Sequence, residues 1–578
     1  MSDGTAANGK FQKPVKIIID GREIVAEAGT PLLQVALDNG IEIPHYCYHP
    51  KLSIDGSCRM CQVKIEKAPK LAIACNTPVA DGMVVDTQCE EVAFARRGVM
   101  ELLLINHPLD CPICDQAGEC YLQDYSFGYG RQDSRATSPR RKGIKRHPIG
   151  PRVIFDQERC ILCRRCVRFT KEITKTNELR VFGIGDRSRI GTTAERPLDN
   201  DYSINTADIC PVGALLSRDF HHKRRVWFLQ EFESICPSCS NGCNIKLGIY
   251  RNEIQRLLPR RNDDVNDTWM CDHGRLNYGF VHDATRVRVP LVRGVKQPGP
   301  AVAPAGGNGT TGNGASQDAA AATTLDLALQ AAGERIRAVL EAHGPNAIAV
   351  IGSPRLPNEE CYRLVQLVRD TLKTPHFDMV VPMGPGDDFL IKPEKAANAR
   401  GARDVGVAPG EGGRDVKGIL DGVAAGEIKL LLVVGSADLL PLFGEVPPRA
   451  ALAKLEALIV VDANRSELTD LATIVLPGLT WAEKDGTFTN YAGRVQRIRK
   501  AVEPPEQLVP DGALFMRLAK LVQTGADAPV TFDPAATLEE IATAVPAYAG
   551  VSFATVGSLG RSTQPSAAPS ADAPVVQA

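Results

Sequence analysis

Two short runs rich in Ile, Val and Lys or Glu flank Asp20-Gly21 in VKIIIDGREIV, residues 15–25, which predicts two β-strands joined by a tight hairpin turn. Thr30 then reads as a helix N-cap, Pro31 as the first helical residue and Gly40 as the stop after LLQVALDN. CQVKIE, LAIAC and GMVVD supply further strands, and EEVAFARRGVMELLLI, residues 90–105, has helical periodicity. In the second half AIAVIG, CYRLVQLVRDTL, KLLLVVG and ALIVVDA alternate strand with helix, the pattern of an α/β domain with a largely parallel sheet. Residues 294–323 are dominated by Gly, Pro, Ala, Thr and Asn and read as a low-complexity linker; 551–578, rich in Ser, Ala and Pro, read as a disordered tail. No repeat at a solenoid period is present.

At 578 residues and 62.3 kDa the chain needs several cores, three to five domains by size. A hydrophobic content of 44% with 5% aromatic residues places those cores on Leu, Val, Ile and Ala. Apolar runs such as LLLVV at 430–434 fall far short of the roughly 20 residues a membrane span requires. A formal net charge of -1 gives no long-range attraction to nucleic acid or anionic lipid. RRKGIKRH, residues 140–147 after Arg131 and Arg135, is read as a solvated or partner-facing loop in preference to a phosphate site. The amino terminus lacks a signal core and an arginine-rich amphipathic helix, so the expectation is a mature chain in a reducing cytoplasm.

Sixteen of the 17 cysteines precede residue 272, a clustering that favours metal over disulfides. Cys47, Cys58, Cys61 and Cys75 contain a C-x2-C turn, and the strand–helix–cysteine-loop order around them is that of a ferredoxin-like β-grasp; the set suits [2Fe–2S], although the gap after Cys47 is longer than the plant-type spacing. His45 and His49 read as loop residues. Cys160, Cys163 and Cys166 form C-x2-C-x2-C, and with no second such run Cys210, followed by Pro, closes the same [4Fe–4S] site. Cys236, Cys239, Cys243 and Cys271 fit either structural zinc or, in this company, another [4Fe–4S] cluster. In HPLDCPICDQAGECYLQD, residues 107–124, Cys111, Cys114 and Cys120 are one ligand short, and His107 fills the set. An imidazole in place of a thiolate makes a cluster less negative, so the histidine reads as a device that raises its potential. Cys89 and Cys361 remain as ordinary thiols.

The motif order HYCYHP through GSCRMCQV, HPLDCPICDQAGECYLQD, RCILCRRCVRF, ICPVGAL and CPSCSNGCN through MCDHGR resembles the large iron–sulfur subunit family of respiratory complex I, over about residues 14–290. SPRLPNEE, VVDANRSELTDLATIVLP and WAEKDGTFTNYAGRVQR resemble, more loosely, a degenerate molybdopterin-oxidoreductase domain. The resemblance implies a multidomain α+β and α/β chain: a β-grasp [2Fe–2S] ferredoxin domain at 14–90, a histidine-ligated [4Fe–4S] domain at 91–130, a ferredoxin-like [4Fe–4S] domain at 150–225, a molybdopterin-oxidoreductase-type 4Fe–4S domain at 234–290, and the degenerate α/β domain at 324–545. It implies one [2Fe–2S] and three [4Fe–4S] clusters, with electrons arriving from a flavin subunit that oxidises NADH and leaving through smaller iron–sulfur subunits toward quinone. The Cys236 cluster lies off that route and favours a bacterial source. The implied location is peripheral, on the cytoplasmic side of the plasma membrane, with membrane contact only through partners.

Two departures bear on catalysis. Cys361, in NEECYRL, stands at a helix start and not in a metal loop, and the chain ends before the pterin-binding carboxy-terminal domain of catalytic relatives, so no molybdenum is expected. GPG at 384–386 is too weak a nucleotide signal, which places NADH elsewhere. Competing readings are an electron-input subunit of an NAD(P)-linked formate dehydrogenase or hydrogenase, and a zinc-binding scaffold without redox function.

Overall fold

The computed structural model describes residues 13–293, 321–435, 439–444, 447–505 and 507–563. Two compact units meet in sequence at Leu229 and Gln230.

The first unit opens with the expected hairpin, Pro14–Ile19 against Arg22–Glu27, whose register closes at Ile19 and Arg22. Asp20 and Gly21 both have positive φ, 50° and 81°, the geometry of a type I′ turn. The Asp20 carboxylate also accepts hydrogen bonds from the Thr87 N–H at 2.7 Å and hydroxyl at 2.5 Å. A five-stranded mixed sheet follows, in the order Arg22–Glu27, Pro14–Ile19, Val84–Asp86, Gln62–Ile65, Ala72–Ile73. Alternation along Pro14–Ile19 sends Val15, Ile17 and Ile19 inward, where they meet Leu32, Leu33, Val35 and Ala36 of the helix Leu32–Asp38. That helix starts one position later than its sequence suggests: Pro31 is the cap residue, and no side chain caps it, so Thr30 does not play the expected role.

Helix Glu90–Leu104 has Glu90 and Glu91 in its first turn, where the helix dipole favours acids. Beyond it come helix Tyr121–Tyr129, a three-stranded sheet ordered Leu215–Ser217, Val153–Phe155, His147–Pro148, and helix Arg165–Glu172. The basic stretch is tied to this unit by ion pairs, Lys145 to Asp110 at 2.5 Å and to Glu158 at 2.9 Å, and Arg141 to Asp186 at 3.0 Å.

The second unit begins with an antiparallel sheet, Gln230–Ile235, Asn244–Tyr250 and Glu253–Pro259. Its centre is a seven-stranded sheet in which Ile474–Pro477, Ala457–Asp462, Leu430–Val434, Ile348–Gly352 and Phe377–Met379 run parallel. Residues 348–352 and 430–434 are buried throughout because side chains on both faces of the sheet pack into cores, Ile348 and Val350 into one, Ala349 and Ile351 into the other.

Two sequence expectations change here. Of the expected linker, residues 294–320 lie outside the described residues, but Ala321–Ala322 pairs with Leu291–Val292 at the sheet edge and Thr324 caps the helix Leu325–His343. Of the expected disordered tail, 564–578 lie outside the described residues, whereas 551–563 are ordered: Phe553–Val556 is helical and Arg561–Ser562 adds a strand to Arg494–Ile498. Composition concealed this because three apolar side chains suffice: Val551 and Val556 are buried and Phe553 packs against the same core. Val556→Ala removes about 1.5 kcal/mol of burial, and faster hydrogen exchange in strand Arg494–Ile498 will report it.

Candidate metal centres

All 17 cysteines are free thiols, and the fold gathers fifteen of them, with His107, into four places.

Cys47 lies in the loop after the first helix, Cys58 and Cys61 bracket the turn before strand Gln62–Ile65, and Cys75 sits in a 3-10 turn, Ala74–Asn76. Arg59, at φ 58°, bends the C-x2-C turn, and the Ala74 N–H donates to the Cys61 carbonyl at 2.9 Å, closing the Cys75 loop on that turn. Cys47, Cys61 and Cys75 are buried. A thiol hydrogen bond joins Cys47 with Cys58 and another joins Cys61 with Cys75; each shared proton holds one thiol below its ordinary value, Cys47 and Cys61, and drives its partner above. Of the neighbouring histidines, His45 bonds the Ile43 carbonyl at 2.8 Å and His49 accepts the Lys51 N–H at 3.3 Å.

His107, Cys111, Cys114 and Cys120 line one small cavity, together with Asp110, Arg159 and Gly213. Helix Glu90–Leu104 delivers His107, Cys111 starts a 3-10 turn, and Cys120 immediately precedes helix Tyr121–Tyr129, whose Leu122 and Gln123 N–H groups point at its sulfur. Burial first, then the Arg159 charge, pulls His107 down to about 4, so its imidazole is neutral and has a lone pair to offer. The Arg159 side chain is 3% exposed, pairs with Asp110 at 3.0 Å and with Asp156 at 3.4 Å, and donates to the Gly213 carbonyl at 3.4 Å. A Cβ on Gly213 would stand 2.2 Å from the Cys114 sulfur, so only glycine fits. The Tyr121 N–H donates to the Pro211 carbonyl at 3.2 Å, bringing the Cys210 loop against the same cavity. Beside Cys114, Asp115 accepts the His222 N–H at 2.9 Å, anchoring the stacked His221 and His222 rings.

Cys160, Cys163, Cys166 and Cys210 form the third set. Leu162 and Arg164, at φ 54° and 60°, curl the run around a common point, and the Leu162 N–H meets the Cys160 sulfur at 3.4 Å. The N–H groups of Val212, Ala214 and Leu215 face the Cys210 sulfur. Burial raises all four thiols, Cys163 to about 11.

The fourth set, Cys236, Cys239, Cys243 and Cys271, belongs to the second unit. Asn241 donates to the Cys243 sulfur at 3.1 Å and the Gly274 N–H to the Cys271 sulfur at 3.3 Å. A Cβ on Gly274 would fall 2.9 Å from the Cys236 sulfur. Burial pushes Cys236 up to about 12 and Cys271 up to about 11. Thiols packed together in this way stay neutral unless a cation offsets their charge. Converging sulfurs, glycines that leave room beside them and N–H groups aimed at them fit a sulfur-ligated metal cluster.

Cys89 caps helix Glu90–Leu104 with its N–H on Asp86 at 2.8 Å, and buried Cys361 donates to the Ser353 and Leu356 carbonyls. Elsewhere in the second unit a cavity of about 370 Å³ opens at the carboxyl ends of the parallel strands, lined by Ser353, Gly435, Asp462 and Trp481 among others. Spacing could name the sulfurs but not Arg159, Gly213 or Gly274; the one signal in the chain is a small residue close behind a candidate ligand, in CPVGAL and MCDHGR.

Five family models match the chain: a 2Fe-2S iron-sulfur cluster binding domain over 12–90, an NADH-ubiquinone oxidoreductase-G iron-sulfur binding region over 96–135, an NADH-quinone oxidoreductase subunit 3 ferredoxin-like domain over 150–216, an NADH-ubiquinone oxidoreductase NDSU1/NuoG-like 4Fe-4S domain over 229–279, and molybdopterin oxidoreductase over 393–521. Among curated proteins the chain is 44% identical over 264 residues to an NADH-quinone oxidoreductase subunit of Rickettsia bellii, covering 46% of this chain and 39% of that one. It is 42% identical over 292 residues to the mitochondrial NADH-ubiquinone oxidoreductase 78 kDa subunit of Candida albicans, covering 50% of this chain and 40% of that one. The chain thus spans about two fifths of the length of these curated relatives. A solved NAD+-reducing [NiFe]-hydrogenase matches with 31% identity over 37% of this chain and 91% of its own, at a TM-score of 0.33. The chain therefore carries 2Fe–2S and 4Fe–4S binding domains followed by a molybdopterin-oxidoreductase-like α/β domain. Among the described residues no helix is long and apolar enough to cross a membrane.

With an iron–sulfur cluster bound by His107, Cys111, Cys114 and Cys120, replacing His107 with Cys would lower its midpoint potential by roughly 100 mV, as read by redox titration with paramagnetic resonance. Gly213→Ala would displace Cys114 and deplete iron from that set, with the metal content of the Cys236 set unchanged.

Proposed function

We propose that this chain, a relative of these NADH-quinone oxidoreductase subunits, is the iron–sulfur wire of such an enzyme, taking electrons from an NADH-oxidising flavin subunit and passing them to smaller iron–sulfur subunits on the way to quinone. Cys47, Cys58, Cys61 and Cys75 would hold [2Fe–2S]. Three [4Fe–4S] clusters would be held by His107, Cys111, Cys114 and Cys120; by Cys160, Cys163, Cys166 and Cys210; and by Cys236, Cys239, Cys243 and Cys271. The bound clusters supply one-electron redox chemistry. The observation that carries this reading is the convergence of fifteen sulfurs and one neutral imidazole on four points, with most of the sulfurs buried.

The protein's own groups bind, tune and insulate. The N–H groups of Leu162, Gly274 and the Asn241 side chain stabilise negative charge on sulfur. His107 brings no charge of its own and Arg159 brings a positive one, so both raise the potential of their centre. Burial of Cys61, Cys75, Cys166 and Cys243 keeps water away. The first three centres, all in the first unit, form the route, and the Cys236 centre lies off it. The partners are the flavin subunit and the downstream iron–sulfur subunits. The chain works as a peripheral component on the cytoplasmic face of a bacterial membrane, which it meets through those partners and without binding nucleic acid. The α/β domain takes no molybdenum in this reading.

The native assembly, purified anaerobically, should contain iron and acid-labile sulfide for one [2Fe–2S] and three [4Fe–4S] clusters, show reduced-cluster resonances on adding NADH, and pass electrons to quinone. Zinc in place of iron, or reduction by formate or hydrogen but not by NADH, overturns the proposal.

A further inference from the structure

One helix joins the Cys160 set to the Cys47 set. In CRRCVRFTKE, Arg164 and Arg165 stand between Cys163 and Cys166; Arg165, Arg168 and Glu172 share one face of the helix Arg165–Glu172, and Arg164 is its N-cap. Each grips the segment 47–55. Arg164 pairs with Asp55 at 2.9 Å, and Glu172 accepts the Ser53 N–H at 2.8 Å and hydroxyl at 2.5 Å. Arg165 donates to the Tyr48 carbonyl and, at 3.2 Å, to the Ile209 carbonyl next to Cys210. Arg168 donates through Nη2 to the Cys47 carbonyl at 2.5 Å and the Cys163 carbonyl at 3.3 Å, and through Nη1 to the Ser53 carbonyl.

Arg165 and Arg168 are only 5% and 8% exposed. Every hydrogen bond that these two guanidiniums make among the described residues ends on a backbone carbonyl, and both Nε atoms are buried without a partner. Two buried cations that form no ion pair with a carboxylate among the described residues are unfavourable unless negative charge lies close by. Thiolate-ligated clusters at the Cys47 and Cys160 sets would supply that charge.

We propose that Arg168, supported by Arg165, is a positioning residue shared by two centres: its guanidinium ties the Cys47 loop to the Cys163 loop and lends one positive charge to both, fixing their spacing and raising both potentials. This rests on the reading that the two sets hold clusters.

The test compares the native assembly with Arg168→Gln and Arg168→Lys, using redox titration with paramagnetic resonance and hydrogen exchange over residues 47–55. In R168Q both centres should become harder to reduce, by about tenfold in the reduced-to-oxidised ratio at fixed ambient potential, or 59 mV for one electron. The Cys236 centre should not move, and loop 47–55 should exchange faster. R168K keeps the charge but not the two-carbonyl bridge, so it should restore both potentials while exchange stays fast. Unchanged potentials in R168Q, or a shift in only one of the two, overturn the proposal. If R168Q fails to load its clusters, R168K decides: wild-type potentials with fast exchange support the bridge, and wild-type exchange overturns it. Absence of both signals from the wild-type assembly sinks the cluster reading itself, and this inference falls with it.

Discussion

Sulfur withdrawn from water, which must stay protonated or find positive charge, is the constraint on which both halves of the molecule depend. Each ion taken into the interior costs several kcal/mol unless compensated, and each candidate centre gathers four donors in one place. The backbone answers with unusual turns. Arg59, Leu162 and Arg164 adopt the left-handed region at φ 54–60°, and Gly242 does so at 61°. Such residues let consecutive peptide N–H groups converge on a sulfur, as a regular strand or helix cannot. The side chains answer with cations, Arg159 at one centre and Arg165 and Arg168 at two others.

The second unit handles buried charge differently. Lys484 lies between Glu360 at 2.6 Å and Asp511 at 2.5 Å, all three nearly inaccessible, and Arg286 holds Glu483 by two bonds at 2.8 and 2.9 Å. Desolvation pushes the Glu360 carboxyl up to about 8, against the pull of the Lys484 charge. Here carboxylates pair with cations of the protein itself, although Glu360 Oε1 and Asp511 Oδ1 are buried without a hydrogen-bond partner, and the parallel sheet is left as an apolar frame around its cavity.

Much of this was legible from residue order. Hairpin, helix and cysteine loop follow local rules, so VKIIIDGREIV and EEVAFARRGVMELLLI become the elements their patterns indicate. Spacing also names the sulfur sets that the fold gathers, because a C-x2-C turn is itself local. What escaped is tertiary. Arg165 and Arg168 look like one polar face of a short solvated helix, and only the arrival of residues 47–55 buries them. Gly213 reads as an ordinary turn glycine until Cys114, about a hundred residues away in sequence, is set against it. Residues 551–563 hid behind small-residue composition, which averages away the few apolar side chains that dock.

The loop from Cys210 to Gly213 serves two neighbours at once: its cysteine belongs to one set, while its Pro211 carbonyl and Gly213 form a wall of the other. These two sites are therefore not interchangeable cassettes. The cavity around His107 is not closed until Gly213 arrives, and the Cys160 set is not closed until Cys210 does, so both wait on the same loop and damage to that single strap is inherited by both.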